Sequence, residues 1–199
     1  MRKLFLVAVA LVASLSMSAQ GAGSMFLKPM VGGTLATFTS VDDAKFKLGL
    51  VGGAEVGYNI ADQFGVTAGL LVAMQGSGYK DDDYTKDASA TTTMLNIPIL
   101  ANYYIIPGLA IKAGIQPGFL LSAKSKATEV YSGREADFEH SGTDGYKKFD
   151  LSIPIGLSYE FSDFVIDARY NLGLTKISEH GSDAKNSVIM LTLGYKIPF

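Results

Sequence analysis

The sequence of 199 residues lacks cysteine and has no excess of basic residues. Without cysteine, the protein forms no disulfide bond and carries no lipid anchor on a cysteine side chain. Its 17 basic and 19 acidic residues give a formal net charge of −2. No basic surface is therefore indicated, and we predict that nucleic acid is not a partner.

Long apolar runs are rare. Residues 4–15 are almost wholly apolar, follow two basic residues and precede a stretch of small residues that ends at Ala19. A run of about a dozen residues is shorter than the ~20 residues that a membrane-spanning helix needs. The pattern is typical of a secretory signal peptide, with an uncleaved membrane anchor as the alternative. We predict a signal peptide at residues 1–19 and one exported domain at residues 20–199.

The rest of the chain contains no clear helical membrane span. Residues 88–111 carry no charge, yet Asn96, Pro98, Pro107 and Gly108 interrupt them. Prolines and a glycine at these positions favour two strands joined by a turn. The whole chain is nevertheless 48% hydrophobic and has 22 glycines. Apolar content spread over alternating segments is typical of a barrel wall.

The final eight residues alternate strictly, with Leu193, Tyr195, Ile197 and Phe199 on one face. In a soluble protein, an edge strand of this kind would leave a hydrophobic rim in water. A strand with lipid outside and a polar lumen inside has this alternation. The segment also resembles the C-terminal β-signal of bacterial outer-membrane proteins. We predict that Gly194, Tyr195, Ile197 and Phe199 form an assembly signal for the barrel-assembly machinery.

Turn signals divide the chain into eight candidate strands. They are residues 25–37, 47–60, 63–78, 91–105, 109–124, 147–161, 164–176 and 187–199. Three short connections alternate with four long polar ones, which are residues 38–46, 79–90, 125–146 and 177–186. This asymmetry is typical of an outer-membrane barrel with tight turns and both termini on the periplasmic side. We predict an all-β fold, an eight-stranded antiparallel up-and-down transmembrane β-barrel, and a monomer.

Prolines are the main local conflict with this prediction. Four candidate strands contain one, at Pro29, Pro98, Pro117 and Pro154. Because proline cannot donate a hydrogen bond to the ladder, we expect bulges or unpaired positions there.

Charged residues fall on one face of the candidate strands. When apolar rows such as Ile166, Tyr170 and Leu172 are placed outward, the strand charges lie on the opposite face. A charge facing lipid at mid-membrane would cost up to ~2–4 kcal/mol. The inward charges are Lys28, Glu55, Lys112, Asp150, Glu160, Asp167, Arg169 and Lys196.

These inward charges have a predicted role. The interior of an eight-stranded barrel is just wide enough for side chains to fill it. Basic and acidic groups there should form pairs, because an unpaired buried ion costs several kcal/mol. We predict a lumen filled by a charge network, without a wide channel. A small gated or narrow pore is the alternative.

Aromatic residues cluster near the strand ends. One set lies near the short turns and the C-terminus, namely Tyr58, Phe64, Tyr103, Tyr159, Phe161, Phe164 and Phe199. The other set lies at the opposite ends, namely Phe38, Phe46, Tyr79, Tyr146 and Phe149. We predict that they form two girdles at the membrane interfaces.

Three stretches carry a family resemblance. They are residues 95–104 (LNIPILANYY), 150–160 (DLSIPIGLSYE) and 167–175 (DARYNLGLT). The chain resembles the small outer-membrane β-barrel domain family labelled PorT-like or porin family, with an architecture similar to the OmpA transmembrane domain. The resemblance covers essentially the whole mature chain and implies an eight-stranded barrel in outer-membrane lipid. It implies no defined activity, no catalytic motif and no cofactor.

Few residues suggest catalysis or metal binding. His140 and His180 fall in predicted outer connections, and residues 81–83 lack the spacing of a calcium-binding loop. We predict that the protein is not an enzyme and holds no metal.

The longest connection, residues 125–146, is the best candidate for recognition. It sets Tyr131 and Phe138 among mixed charges, and loops on a rigid scaffold commonly carry binding sites. We predict a structural or surface-interaction role for the barrel, with an extracellular partner at residues 125–146. A partnerless hairpin that shields the barrel mouth is the alternative for this connection. For the whole protein, the alternative to an outer-membrane barrel is a secreted lipocalin-like binding barrel.

Overall fold

The computed structural model describes residues 22–40, 43–80, 85–131, 134–178 and 183–199. The predicted signal peptide at residues 1–19, the acidic run 81–83 and His180 lie outside the described residues. Within the described ranges, no helix is long and apolar enough to cross a membrane.

The described residues form twelve β-strands in one sheet. The strands are β1 (Met25–Thr39), β2 (Ala44–Lys45), β3 (Lys47–Ala61), β4 (Phe64–Tyr79), β5 (Thr85–Asn96), β6 (Ile99–Ile106), β7 (Leu109–Tyr131), β8 (Arg134–Ser141), β9 (Phe149–Phe161), β10 (Phe164–Gly173), β11 (Lys185–Tyr195) and β12 (Ile197–Pro198).

The sheet closes on itself through eight antiparallel wall positions. β5 and β6 share one position between β4 and β7, and β12 continues β11 beside β1. The closing seam runs from the Met30–Gly194 pair to the Thr39–Lys185 pair of β1 and β11. The predicted eight-stranded antiparallel up-and-down barrel is confirmed.

One end of the barrel carries the tight turns, and we call it the turn rim. Its turns lie at residues 62–63, 107–108 and 162–163, between consecutive paired strands. Gly108 has a φ of 85° and Ser162 a φ of 53°, which is the left-handed region that glycine and turn residues adopt most readily. The Phe199 backbone N–H donates to the Met25 carbonyl at 3.0 Å, so both described chain ends lie at this rim.

The opposite end carries long strands where the sequence predicted loops, and we call it the hairpin rim. β7 continues to Tyr131 and turns back as β8, while β5 already begins at Thr85 and pairs with the same part of β7. Residues 85–90, 124–131 and 134–141 thus form a three-stranded extension beyond the wall, the hairpin sheet. The predicted connections 79–90 and 125–146 are therefore partly β-strand.

The prolines disturb the wall less than expected. Pro29 and Pro154 occupy regular register positions opposite Ala54 and Asn171. Only Pro98 interrupts a strand, between β5 and β6. The Ile97 N–H still donates to the Pro117 carbonyl at 2.8 Å, so neighbouring strands stay connected.

The outer face of the wall is apolar. Leu48 is 81% exposed, Leu50 68% and Ile155 53%. The outward rows predicted from alternation, such as Ile166, Tyr170 and Leu172 on β10, are also exposed. A wall of this kind fits lipid on its outside, because apolar surface in water is unfavourable.

Candidate functional site in the barrel lumen

The lumen holds the charged side chains that the wall strands carry. Lys28, Glu55, Lys112, Asp150, Asp167, Arg169 and Lys196 are buried. The side chain of Glu160 is 11% exposed. The structure therefore places all eight predicted lumen charges on the inner face, in three separate groups.

The largest group is the central cluster of Lys28, Glu55, Lys112, Asp167 and Arg169. Lys28 Nζ lies 2.8 Å from Glu55 Oε2 and 3.6 Å from Asp167 Oδ2. Lys112 Nζ lies 2.6 Å from the same Asp167 oxygen. Each carboxylate thus contacts more than one cation, which offsets part of the cost of burying ions.

Arg169 joins the two carboxylates of the central cluster. Its Nε and Nη2 donate to the two oxygens of Asp167 at 2.5 and 2.8 Å, a bidentate geometry that suits the planar guanidinium. Its Nη1 lies 2.6 Å from Glu55 Oε1. Glu55 therefore forms ion pairs with both Lys28 and Arg169.

Glycines on neighbouring strands make room for these long side chains. Gly69 pairs with Glu55, and Gly156 pairs with both Arg169 and Lys112. A Cβ atom at position 69 would lie 2.6 Å from Glu55 Cγ, and one at position 156 would lie 3.0 Å from Arg169 Cγ. The role of these glycines was not predicted, although their inward positions beside charged residues are a signal in the sequence.

The second group is an ion pair at the turn rim. Lys196 Nζ lies 2.8 Å from Glu160 Oε2, and the Tyr104 hydroxyl donates to Glu160 Oε1 at 2.9 Å. The ammonium of Lys196 also lies 4.3 Å from the centre of the Phe26 ring, a cation–π contact. A cavity of about 310 Å³ opens beside this pair, lined in part by Asn59 and Tyr104.

The third group is Asp150, which has no cationic partner among the described residues. The Thr175 hydroxyl donates to its Oδ1 at 2.5 Å, and the Asn186 side chain donates to its Oδ2 at 3.2 Å. The expectation that every lumen charge would join an ion pair is therefore wrong at this position. Neutral hydrogen-bond donors satisfy the Asp150 carboxylate instead.

Two buried apolar clusters also occupy the lumen. Next to the central cluster, towards the hairpin rim, lies a buried cluster of Met30, Val51, Leu71, Ala73 and Met190. A second cluster at the hairpin rim is formed by Phe38, Ala90 and Ala184, with Tyr79 and Ile177 packed against it. The lumen is thus occupied at several heights by side chains.

The two aromatic girdles are present in modified form. At the turn rim, the outward ring of Phe164 contacts Phe161 at 5.8 Å and Tyr195 at 5.3 Å between ring centres. At the hairpin rim, Phe46 and Phe149 are exposed. Phe38 and Tyr79, which we predicted for that girdle, instead pack inside the barrel mouth.

The predicted assembly signal closes the wall beside β1. Gly194 faces inward, whereas Tyr195 and Phe199 face outward and Ile197 is half-buried. The ladder breaks at Lys196, whose backbone N–H donates to the Asp163 carbonyl at 2.6 Å. The role of these residues in assembly stays a prediction.

The hairpin sheet is polar and exposed. Lys126 Nζ lies 3.0 Å from Glu139 Oε2, and Lys124 Nζ lies 3.5 Å from Glu139 Oε1. The hydrogen bond and charge of Lys126 hold the pKa of Glu139 below its ordinary value of 4.5. Phe138 is 55% exposed, and the Tyr131 side chain lies outside the described residues.

Residues suited to catalysis or metal binding are scarce in the described part of the chain. His140 is exposed on β8, opposite Ser125. No group of three or more His, Cys, Asp or Glu side chains in the described ranges could hold a metal ion. The absence of enzymatic activity stays a prediction.

Several solved structures are similar to this chain. Ail, the attachment invasion locus protein of Yersinia pestis, is 17% identical, with 88% of this chain and 99% of that chain covered and a TM-score of 0.52. Neisserial surface protein A is 12% identical, covering 88% and 97%, with a TM-score of 0.48. OprG from Pseudomonas aeruginosa is 16% identical, covering 90% and 99%, with a TM-score of 0.44. The likeness to Ail is one of fold.

Sequence comparison identifies the family. No curated protein matches the chain in sequence. Residues 14–179 match a family described as outer membrane protein beta-barrel domain. This match covers most of the closed wall, with its apolar outer face and charged lumen. The chain therefore belongs to the outer membrane protein β-barrel domain family.

Proposed function

We propose that this outer-membrane protein has a closed, side-chain-filled barrel as its scaffold and acts at the cell surface through the hairpin sheet. The observation that carries the proposal is the combination of buried ion pairs in the lumen with a sheet that extends beyond the wall. Family membership favours this membrane barrel over the lipocalin-like alternative.

The central cluster supports a barrel without a wide channel. Its five side chains come from β1, β3, β7 and β10 and meet inside the barrel. An apolar cluster that includes Leu71, fully buried, follows directly towards the hairpin rim. Opening a water-filled path would separate several buried ion pairs at once, at a cost of several kcal/mol.

The hairpin sheet supports a role in recognition. β8 pairs with β7 on one side, and within the described residues no strand pairs with its other side. An open strand edge can accept a partner strand through backbone hydrogen bonds. The exposed Phe138 beside charged residues adds an aromatic anchor, so a protein partner fits this surface.

The proposed orientation places the hairpin rim outside the cell and the turn rim in the periplasm. Short turns and both described chain ends lie together at the turn rim, the arrangement usual for outer-membrane barrels. We also propose a monomer that the barrel-assembly machinery inserts, since the wall formed by the described residues leaves no unpaired wall edge that a second copy could complete.

A narrow or gated pore is the second candidate function. The cavity of about 310 Å³ at the turn rim reaches Glu160 and Lys196 inside the lumen. This observation favours water entry from that side, as far as the ion pair.

Conductance in planar lipid bilayers decides between these functions. We expect no large, steady conductance from the purified protein. As the matched variant, Leu71→Ala opens a cavity in the apolar cluster next to the central cluster and leaves every ion pair in place. A porin-sized conductance of the unmodified protein would overturn the proposal of a filled lumen. Small conductance steps that become larger in Leu71→Ala would favour the narrow pore.

Replacing residues 127–143 with a short Gly/Ser turn tests the recognition role. We expect the variant to assemble and to keep its heat-dependent gel mobility, but to lose the envelope or surface phenotype that the intact gene confers. Phe138→Ala keeps the hairpin sheet and removes only the exposed ring. Full complementation by the variant without the hairpin would leave the barrel itself as the functional unit.

A further inference from the structure

Two outward rows of the wall end in lysine at the hairpin rim. On β9, every second residue faces outward, namely Ile155, Ile153, Leu151 and Phe149. The next position in this series is Lys147. On the neighbouring strand, Tyr170, Leu172 and Leu174 lead in the same way to Lys176. The alternation thus places cations where the lipid-facing apolar surface stops.

The two rows stay side by side beyond the ends of their strands. The Leu174 N–H donates to the Leu151 carbonyl at 2.8 Å, and the Lys147 N–H donates to the Ile177 carbonyl at 2.9 Å. Lys147 and Lys176 are both exposed. The backbone bonds therefore hold the two lysine-bearing segments next to each other on the outer surface.

A shallow groove of about 670 Å³ lies between these segments. It is lined by Lys147, Lys148, Phe149, Leu174, Thr175 and Lys176. Phe149 is 46% exposed and Leu174 41% exposed, and both continue the apolar outer face of the wall. The groove therefore joins an apolar floor to a cationic upper edge.

The charge at this edge is largely uncompensated. Lys176 pairs with Asp183. Lys147 and Lys148 make no ion pair within the described residues, unlike Lys124 and Lys126, which share Glu139. An occupant should therefore carry at least one anionic group, together with an apolar part for the floor.

We propose that this groove, the lysine groove, binds a membrane lipid whose headgroup carries a phosphate monoester. The phosphate lies against Lys147 and Lys148, and an acyl chain runs along Phe149 and Leu174 into the bilayer. Charge complementarity and the continuity of the floor with the lipid-facing wall favour a lipid over a soluble anion, which would leave the apolar floor uncovered. The proposal does not depend on the recognition role of the hairpin sheet.

Lipid selectivity in vesicles tests the lysine groove. The protein is reconstituted in phosphatidylcholine, and electron spin resonance compares the association of spin-labelled phosphatidic acid with that of spin-labelled phosphatidylcholine. We expect a preference for phosphatidic acid that falls roughly fivefold per lysine removed in K147Q/K148Q. The matched control K124Q/K126Q makes the same charge change on the hairpin sheet and should keep the preference.

Three outcomes would overturn the proposal. They are equal association of the two lipids with the unmodified protein, the same loss of preference in both double variants, and displacement of the phosphatidic acid by millimolar glycerol 3-phosphate, which would make the groove a site for a soluble phosphate. Heat-dependent gel mobility of each variant verifies that the barrel is folded, so that a lost preference reports on the groove.

Discussion

Arg169 contacts Glu55 across the lumen, with 2.6 Å between Nη1 and Oε1, although β11 and β1 separate their strands in the wall. The same guanidinium also holds Asp167 through two hydrogen bonds. This one side chain therefore links β10 and β3, which lie on either side of the β1–β11 seam. Its removal leaves two buried carboxylates with fewer cations around them.

Arg169→Ala should lower the free energy of unfolding by about 3–5 kcal/mol, because breaking a buried ion pair leaves uncompensated charge. Urea unfolding in vesicles, followed by gel mobility, measures the change. Lys124→Ala removes an exposed cation of the hairpin sheet and should change stability by less than about 1 kcal/mol. Equal stabilities of Arg169→Ala and the unmodified protein would mean that water or other groups solvate the central cluster.

Gly69→Ala should destabilise the barrel by about 1–3 kcal/mol, because its Cβ would lie 2.6 Å from Glu55 Cγ and 2.7 Å from the Ala54 carbonyl oxygen. Gly33→Ala is the matched control on the wall, since the nearest atom to its Cβ is the Gly49 oxygen at 3.7 Å. The same urea experiment compares the two. If both variants unfold alike, the inward glycines do not make the room that the central cluster needs.

Phe199→Ala should reduce assembly into the membrane far more than Phe138→Ala, if the C-terminal residues form the assembly signal. The two substitutions remove the same side chain from exposed positions, 37% and 55% exposed respectively. The fraction of heat-modifiable protein in outer-membrane preparations measures assembly. Similar yields would reduce Phe199 to an ordinary strand end.

The hairpin sheet should loosen in acid. The hydrogen bond and charge of Lys126 lower the pKa of Glu139 from its ordinary 4.5. Since the folded-state pKa lies below the unfolded one, the contact stabilises the hairpin fully above about pH 4.5 and is lost as the pH falls through the lowered pKa. The protection factors of the amides of residues 134–141, which compare observed with intrinsic exchange rates at each pH, should fall over that window in the unmodified protein.

Glu139→Gln provides the control for this pH dependence. Its hairpin should exchange faster at neutral pH and lack the acid step. An acid step of the same size in Glu139→Gln would assign the titration to another group.

Alternation alone predicted which residues face lipid and which face the lumen. Asp167 and Arg169 interrupt an apolar row on β10 only at inward positions, so a period of two assigned them correctly. The same rule, followed along β1 from Lys28 through Met30 and Thr34, would have placed Phe38 inside. The position of Phe38 near a strand end instead predicted a place in the girdle. That prediction is wrong, because Phe38 packs inside the barrel mouth.

The strand register and the structure of the long connections were harder to predict from the sequence. Residues 124–131 carry charged or polar side chains on both faces, and that composition predicts a loop even though β7 continues through them. The grouping of the lumen charges depends on how far each strand is shifted against the next. Asp150 therefore has no ion-pair partner among the described residues, and the spacing of charges in the sequence does not predict this.

The seam between β1 and β11 joins residues that are far apart in the chain. Thr39 and Lys185, which meet there, are 146 residues apart in the chain. A barrel closed by such a distant contact has a high contact order and folds slowly. Until β11 pairs with β1, the sheet keeps two open edges and an exposed apolar face, which is an aggregation hazard in water.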